Sequence, residues 1–263
     1  MESRFDGKAD RKDINMDLRD FFNKHPRVAV ACSGGVDSTF LMVQAKKYAK
    51  DVKAYFVQSA FQPGFELEDA RKCCEKAGVK LCVIKVDVLG DRRIADNSAD
   101  RCYYCKKALF EAMIKAAGED GYTILLEGTN ASDDEDDRPG MRALRALGVY
   151  FPLRECGMGK AEIRKQAKEE GIFTHAKPAY ACLATRIPVG TPITADMLNR
   201  VEESERALFA MGFKDFRVRV YHGAARLQIC GEEWQIFSEK RREIAKALQP
   251  FFSEVFLDIL VER

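Results

Sequence analysis

Residues 28–47 read VAVACSGGVDSTFLMVQAKK. Val28, Ala29, Val30 and Ala31 form the short apolar run of a buried parallel strand. Ser33, Gly34, Gly35, Val36, Asp37 and Ser38 follow as a small glycine-rich turn, after which the pattern becomes helical through Phe40, Leu41, Val43 and Gln44. Strand, glycine turn and helix start together make a cradle for an anion. Glycines let backbone N–H groups close on a phosphate, and the helix N-terminus adds positive potential worth up to about 1 kcal/mol per charge. Ser33, Gly34, Gly35, Asp37 and Ser38 are therefore candidate nucleotide-phosphate residues, with Asp37 also a candidate for the catalytic step. No GK[ST] closes the turn, so it is not a Walker A loop.

The surrounding chain sets the bounds. At 263 residues with 46% hydrophobic content, it can bury a substantial core and has room for two domains. Its 43 basic and 41 acidic residues leave a net charge of +2, without the basic excess that marks a dedicated nucleic-acid binder. No apolar run reaches the roughly 18 residues of a membrane span. The first residues, MESRFDGKADRKD, lack the apolar core of a signal peptide. These features lead to the expectation of a cytoplasmic protein with no membrane partner.

Periodicity divides the chain in two. Helices are expected at 16–24, 66–77, 101–117 and 160–170, and strands at 28–31, 52–58, 79–86 and 123–126. This alternation predicts an α/β fold with a doubly wound parallel sheet and its ligand at the carboxyl ends of the strands, near Ser59. From about residue 184 the alternation stops. A helix over 194–211 capped by Thr194, a hairpin of 216–220 and 225–229 turning at Gly223, a helix over 239–248 and a strand over 251–261 make a small α+β domain. The expected domains are 1–183 and 184–263, the second for substrate or assembly.

Nine cysteines are many for a protein in a reducing compartment: 32, 73, 74, 82, 102, 105, 156, 182 and 230. Cys32, Cys73, Cys74 and Cys82 fall in strand and helix patterns and are expected in the core. Cys102 and Cys105, in RCYYCKK, are three apart on a predicted helix and share one face. Such a pair suits zinc, iron–sulfur ligation, redox chemistry or plain packing. Cys182 lies in KPAYACLATRIPVGTP, an irregular segment fixed by Pro178, Pro188 and Pro192. Three thiolates suffice for a [4Fe–4S] cluster with one iron left open. Arg217 and Arg219 alternate with Val218 and Val220, so both project from one strand face, as a phosphate clamp requires.

The SGGVDS loop resembles the pyrophosphate loop (PP-loop) of the N-type ATP pyrophosphatases. The order SGGVDS, CYYCKK, EGTNASD, RPGMRA, KAEIRK, CLATRIPVGTPIT and FRVRVYH resembles the LarE family over residues 27–226. These are ATP-dependent sulfur transferases that build the nickel-pincer cofactor of lactate racemase. The resemblance implies ATP and Mg²⁺, adenylation of a carboxylate of pyridinium biscarboxylic acid mononucleotide, and its conversion to a thiocarboxylate. It implies that Gly128 allows a ligand close approach and that Asp134 or Asp137 orients Mg²⁺ or the ribose. It also implies that Arg186, Arg217 and Arg219, with Thr185, bind the substrate phosphate, and that Glu205 is a catalytic-site residue. Gln228 stands where the family pattern usually has an acid. Family members without the CxxC spend the cysteine matching Cys182 as the sulfur source. Presence of Cys102 and Cys105 implies the other chemistry, sulfide delivered from a [4Fe–4S] cluster on Cys102, Cys105 and Cys182. A homo-oligomer supplied by sulfide or another sulfur donor is expected. The competing readings are sacrificial chemistry at Cys182, a PP-loop tRNA thiolase, and a nucleotide-binding regulator without turnover.

Overall fold

The computed structural model describes residues 16–133 and 138–259. In chain order they form α1 (Leu18–Lys24), β1 (Arg27–Ala31), α2 (Val36–Tyr48), β2 (Asp51–Gln58), α3 (Gly64–Ala77), β3 (Lys80–Lys85), α4 (Arg92–Ala95), α5 (Arg101–Glu119), β4 (Leu125–Leu126), α6 (Pro139–Ala146), α7 (Pro152–Glu155) and α8 (Lys160–Glu169). Then come α9 (Ala195–Ala210), β5 (Phe216–Tyr221), β6 (Ala224–Ile229), α10 (Trp234–Leu248) and β7 (Val255–Leu257). Packing groups them into two units. One comprises the described parts of Met1–Ser59, Gly64–Val86 and Cys102–Lys177; the other comprises Ala60–Pro63, Asp87–Arg101 and the described part of Pro178–Arg263.

The first unit is built on a parallel sheet in the order β3-β2-β1-β4. Val28 pairs with Val52 on one side of β1, and Ala29 pairs with Leu125 on the other. A strand flanked on both sides and covered on both faces has no room for polar alternation, and Val28, Ala29, Val30 and Ala31 are all buried. The chain winds outward from β1 to β3 and then returns to β4 on the opposite side of β1. This reversal is the switch point of a doubly wound sheet, where ligands bind at the carboxyl ends. The parallel α/β architecture expected from the alternating pattern is the one observed.

Helix α2 leaves the loop after β1 and is buried through Phe40, Leu41, Met42 and Ala45. Phe40, Leu41 and Met42 each contribute about 1.5–3 kcal/mol by leaving water. Cys32, Cys73 and Cys74 belong to this core, as their sequence context suggests. Pro139 opens α6, its fixed φ suiting the first helical turn.

In the second unit, β5 and β6 form an antiparallel hairpin and β7 adds in parallel to β6. His222 (φ 49°) and Gly223 (φ 85°) make the two-residue turn, whose positive φ values match the right-handed twist of the strands. Thr194 caps α9 by accepting from Met197 N at 3.2 Å. Helix α10 begins at Trp234, earlier than the pattern indicates, because a 3-10 turn at Gly231–Glu233 leads straight into it. The strand expected over 251–261 is shorter: Phe251 and Phe252 close α10 by donating to Leu248 O, both at 3.0 Å, and only Val255–Leu257 pair. Residues 260 and 261 lie outside the described residues.

Candidate active site

The phosphate loop occupies the turn between β1 and α2. Gly34 has φ +74°, and a Cβ there would lie 2.7 Å from Glu66 O in α3, so the loop is pressed onto that helix. Ser38 Oγ accepts from Ser33 N at 3.1 Å and lies 3.0 Å from Ser33 Oγ, which knits the loop to the first turn of α2. Gly35 caps α2 with no side chain, leaving the first-turn N–H groups without competition from the cap residue. Ser59, just past the end of β2, is buried.

Asp37 sits in that first turn and is ion-paired with Lys160, the first residue of α8. Burial raises the Asp37 carboxyl above its ordinary value, and the Lys160 ammonium pulls the other way. Asp37 Oδ1 is buried without a hydrogen-bond partner. An orphaned carboxylate oxygen at a phosphate cradle is what a hard, oxygen-seeking cation satisfies, so the site fits Mg²⁺. Lys160 was not singled out from the sequence, although KAEIRK was recognised; the available signal was a basic residue opening a helix directly after a glycine. Arg164, one turn later, donates to His175 O and, at 2.8 Å, to Lys177 O.

The loop after β4 packs on the same helix start. A Cβ on Gly128 would meet Ser38 N at 2.8 Å and Asp37 C at 3.1 Å, so the close approach that this glycine permits here is to backbone of α2. Beyond it, Thr129 N donates to Glu127 Oε2 at 2.8 Å and Asn130 N to Asp133 Oδ2 at 2.9 Å. Arg154 Nη1 bonds Asn130 O at 3.1 Å and Asp133 O at 2.9 Å, fixing the loop from α7. Asp134 and Asp137 lie outside the described residues.

Cys102 and Cys105 stand on the first turns of α5, reduced and half-buried. Elsewhere in the unit, burial pushes the Cys73 thiol up to about 11 and the half-buried Cys156 thiol up to about 12. A paired, accessible thiol donor set of this kind suits iron–sulfur ligation. Among the described residues, no three His, Cys, Asp or Glu side chains are gathered as a metal site.

In the second unit, Cys182 begins a 3-10 turn, Leu183–Arg186, and its segment is held along its length. Thr185 Oγ1 donates to Cys182 O at 2.8 Å, and Leu183 N donates to Phe61 O at 2.9 Å. Arg186 and Glu205 are each 1% exposed and form a two-pronged ion pair at 2.8 and 3.2 Å. Burial works against the Arg186 charge, but Glu205 more than offsets it and holds the guanidinium above its ordinary value. Glu205 also accepts from Val218 N at 2.9 Å and from Tyr180 OH.

Arg217 and Arg219 share a face of β5, and both reach the Cys182 segment. Arg217 Nη2 donates to Ala179 O at 2.7 Å, and Arg219 Nη1 donates to Thr185 O at 2.5 Å. Arg217 is buried at 7% exposure, so this is not the solvated strand face that simple alternation allows. Gln228 takes the place of the expected acid by accepting from Arg219 Nε at 2.6 Å and donating to Asp258 at 2.9 Å.

A parallel sheet whose glycine-rich phosphate loop meets the loop after β4 at the switch point defines a PP-loop α/β protein. The sequence model of the family described as "Queuosine biosynthesis protein QueC" matches residues 27–101. An uncharacterized protein of Synechocystis is 33% identical over 92% of this chain and 92% of its own length. The pyridinium-3,5-bisthiocarboxylic acid mononucleotide synthase of Lactiplantibacillus plantarum is 31% identical over 77% of this chain and 74% of that enzyme. A tRNA-specific 2-thiouridylase of Psychromonas ingrahamii is 26% identical over 59% of this chain and 52% of that one. The chain belongs to the LarE family, that of the L. plantarum synthase. It is an enzyme, an ATP-dependent sulfur transferase. Among the described residues, no helix is long and apolar enough to cross a membrane.

Proposed function

We propose that this enzyme uses ATP to adenylate a carboxylate of pyridinium biscarboxylic acid mononucleotide and converts it to a thiocarboxylate, a step toward the nickel-pincer cofactor. The observation that carries the reading is the 31% identity to the L. plantarum synthase over 77% of the chain. In this reading it acts as a cytoplasmic homo-oligomer.

Ser33, Gly34, Gly35 and Ser38 hold the pyrophosphate end of ATP, with the nucleotide lying toward Ser59 and Gly128. Asp37 would hold Mg²⁺, with Asp134 or Asp137 as a further acidic partner of the ion or the ribose, and the ion would offset phosphate charge. Lys160, ion-paired with Asp37 beside the loop, offers its ammonium to the phosphates. A substrate carboxylate oxygen attacks the α phosphorus, the bond to the bridging oxygen breaks, and pyrophosphate leaves. Hydrosulfide-level sulfur then attacks the acyl carbon. A carbon–sulfur bond forms, the carbon–oxygen bond to AMP breaks, and the sulfur proton goes to solvent. Arg217 and Arg219, supported by Thr185, Arg186 and Glu205, hold the mononucleotide phosphate. Cys102, Cys105 and Cys182 would hold a [4Fe–4S] cluster, which when bound supplies sulfide at an iron that no cysteine ligates.

The test is anaerobic incubation with ATP, Mg²⁺, sulfide and the mononucleotide, following pyrophosphate release and the mass of the product. Substrate-dependent pyrophosphate release with thiocarboxylate formation is expected. Release driven by tRNA and not by the mononucleotide would overturn the reading and favour a thiolase.

A further inference from the structure

Tyr180 stands two residues before Cys182 and is assigned no role by the reading above. Its hydroxyl donates to Glu205 Oε2, while the same carboxylate already binds Arg186 and Val218 N. Its ring lies 4.7 Å from the Arg186 guanidinium carbon and 5.4 Å from that of Arg217. Both guanidiniums also grip the main chain beside it: Arg217 at Ala179 O (2.7 Å) and Arg186 at Ala181 O (3.2 Å). One aromatic ring can attract two like charges because its quadrupole draws each cation and Glu205 neutralises one of them.

The two arginines are held by different groups. Arg186 is locked in the interior by Glu205, so it is an immobile post. Arg217, on β5, lies beside the same ring, with Asp215 at 3.4 Å and Phe216 O at 2.5 Å among its other partners. Any anion that draws on Arg217 therefore acts on the Tyr180 ring and on Ala179 O together.

We propose that Tyr180 is a positioning residue for sulfur transfer, tying the Cys182 segment to the Arg186–Glu205 post and to Arg217. The proposal rests on the function stated above. Sulfur transfer demands close geometry, and a displacement of about 1 Å can cost on the order of a hundredfold in rate. Adenylation takes place at the phosphate loop, so its rate at saturating mononucleotide should be spared.

The test compares Tyr180→Phe, which keeps the ring, with Tyr180→Leu, which removes it. In Tyr180→Leu, thiocarboxylate formed per pyrophosphate released should fall about tenfold with pyrophosphate release near wild type; Tyr180→Phe should stay within about threefold of wild type. A second readout is independent of the reaction. In the full-length, iron-free chain, alkylation of Cys182 by iodoacetamide, followed by peptide mass spectrometry, should speed up about threefold or more in Tyr180→Leu and less in Tyr180→Phe, while Cys230 is unchanged. Wild-type protein that releases no pyrophosphate would defeat the functional reading alone, leaving alkylation to judge Tyr180. An unchanged Cys182 rate, or pyrophosphate and thiocarboxylate falling together, would overturn the proposal. Should the leucine variant not fold, Tyr180→Met, which also removes the ring, takes its place, and an unchanged Cys182 rate there overturns it.

Discussion

Lys160 and Asp37, 123 positions apart in the chain, are ion-paired beside the phosphate loop. The pair joins the first turns of α8 and α2. Lys160→Ala should lower substrate-dependent pyrophosphate release by about a hundredfold, the scale of losing one group that stabilises developing charge. Lys160→Arg should recover part of the rate. A wild-type rate in Lys160→Ala would reduce the lysine to a structural counterion.

Asp37→Asn should abolish pyrophosphate release and yet stabilise the ligand-free protein. Because burial raises the Asp37 carboxyl in the fold, its charged form costs stability above the folded-state pKa. The variant should therefore melt at a higher temperature at neutral pH. As pH falls below the ordinary value of 3.8, both states are protonated and the gain should vanish. Calorimetry across pH checks the sign.

Gly34→Ala should impair ATP binding more than the remainder of the fold. The substitution places a Cβ 2.7 Å from Glu66 O at φ +74°, a strain of about 1–3 kcal/mol localised in the loop. Gly128→Ala, whose Cβ would meet Ser38 N at 2.8 Å, should act on the same loop from the opposite side. Titration calorimetry with ATP, beside a melting curve, separates local from global damage.

Arg217→Ala and Arg219→Ala should each weaken the mononucleotide by about ten- to hundredfold, since a charged hydrogen bond to phosphate is worth roughly 1.5–3 kcal/mol. ATP affinity should hold. Equal losses for both ligands would mean that these arginines serve folding, through Ala179 O and Thr185 O, instead of the substrate.

Cys182→Ala should retain substrate-dependent pyrophosphate release and lose sulfur transfer. Anaerobically purified protein should carry about four irons per chain, lost when Cys102, Cys105 or Cys182 is changed to Ala and kept in Cys73→Ala or Cys230→Ala. Dehydroalanine at position 182 after turnover of iron-replete protein would instead establish the sacrificial route.

The sequence by itself determined what local chemistry controls. Glycines, a short apolar run and a change of period specify the phosphate loop, because backbone freedom and strand or helix patterning are properties of neighbours in the chain. Thr194 as a cap and Gly223 as a turn residue were legible for the same reason. Arg217 and Arg219 on one face follow from the twofold period of a strand. Only the tertiary structure decided that Lys160 meets Asp37, that Gly128 is pressed against Ser38 N, and that Arg217 is buried against Tyr180 and Ala179 O. Charge pairing and burial act through space between residues far apart in sequence, and no spacing or composition marks which distant group will be opposite. Glu205 shows the difference most directly. Its helix was predictable, but its four hydrogen bonds, two from Arg186 and one each from Tyr180 and Val218 N, converge only when α9, β5 and the Cys182 segment have packed around one carboxylate that cannot be left uncompensated away from water.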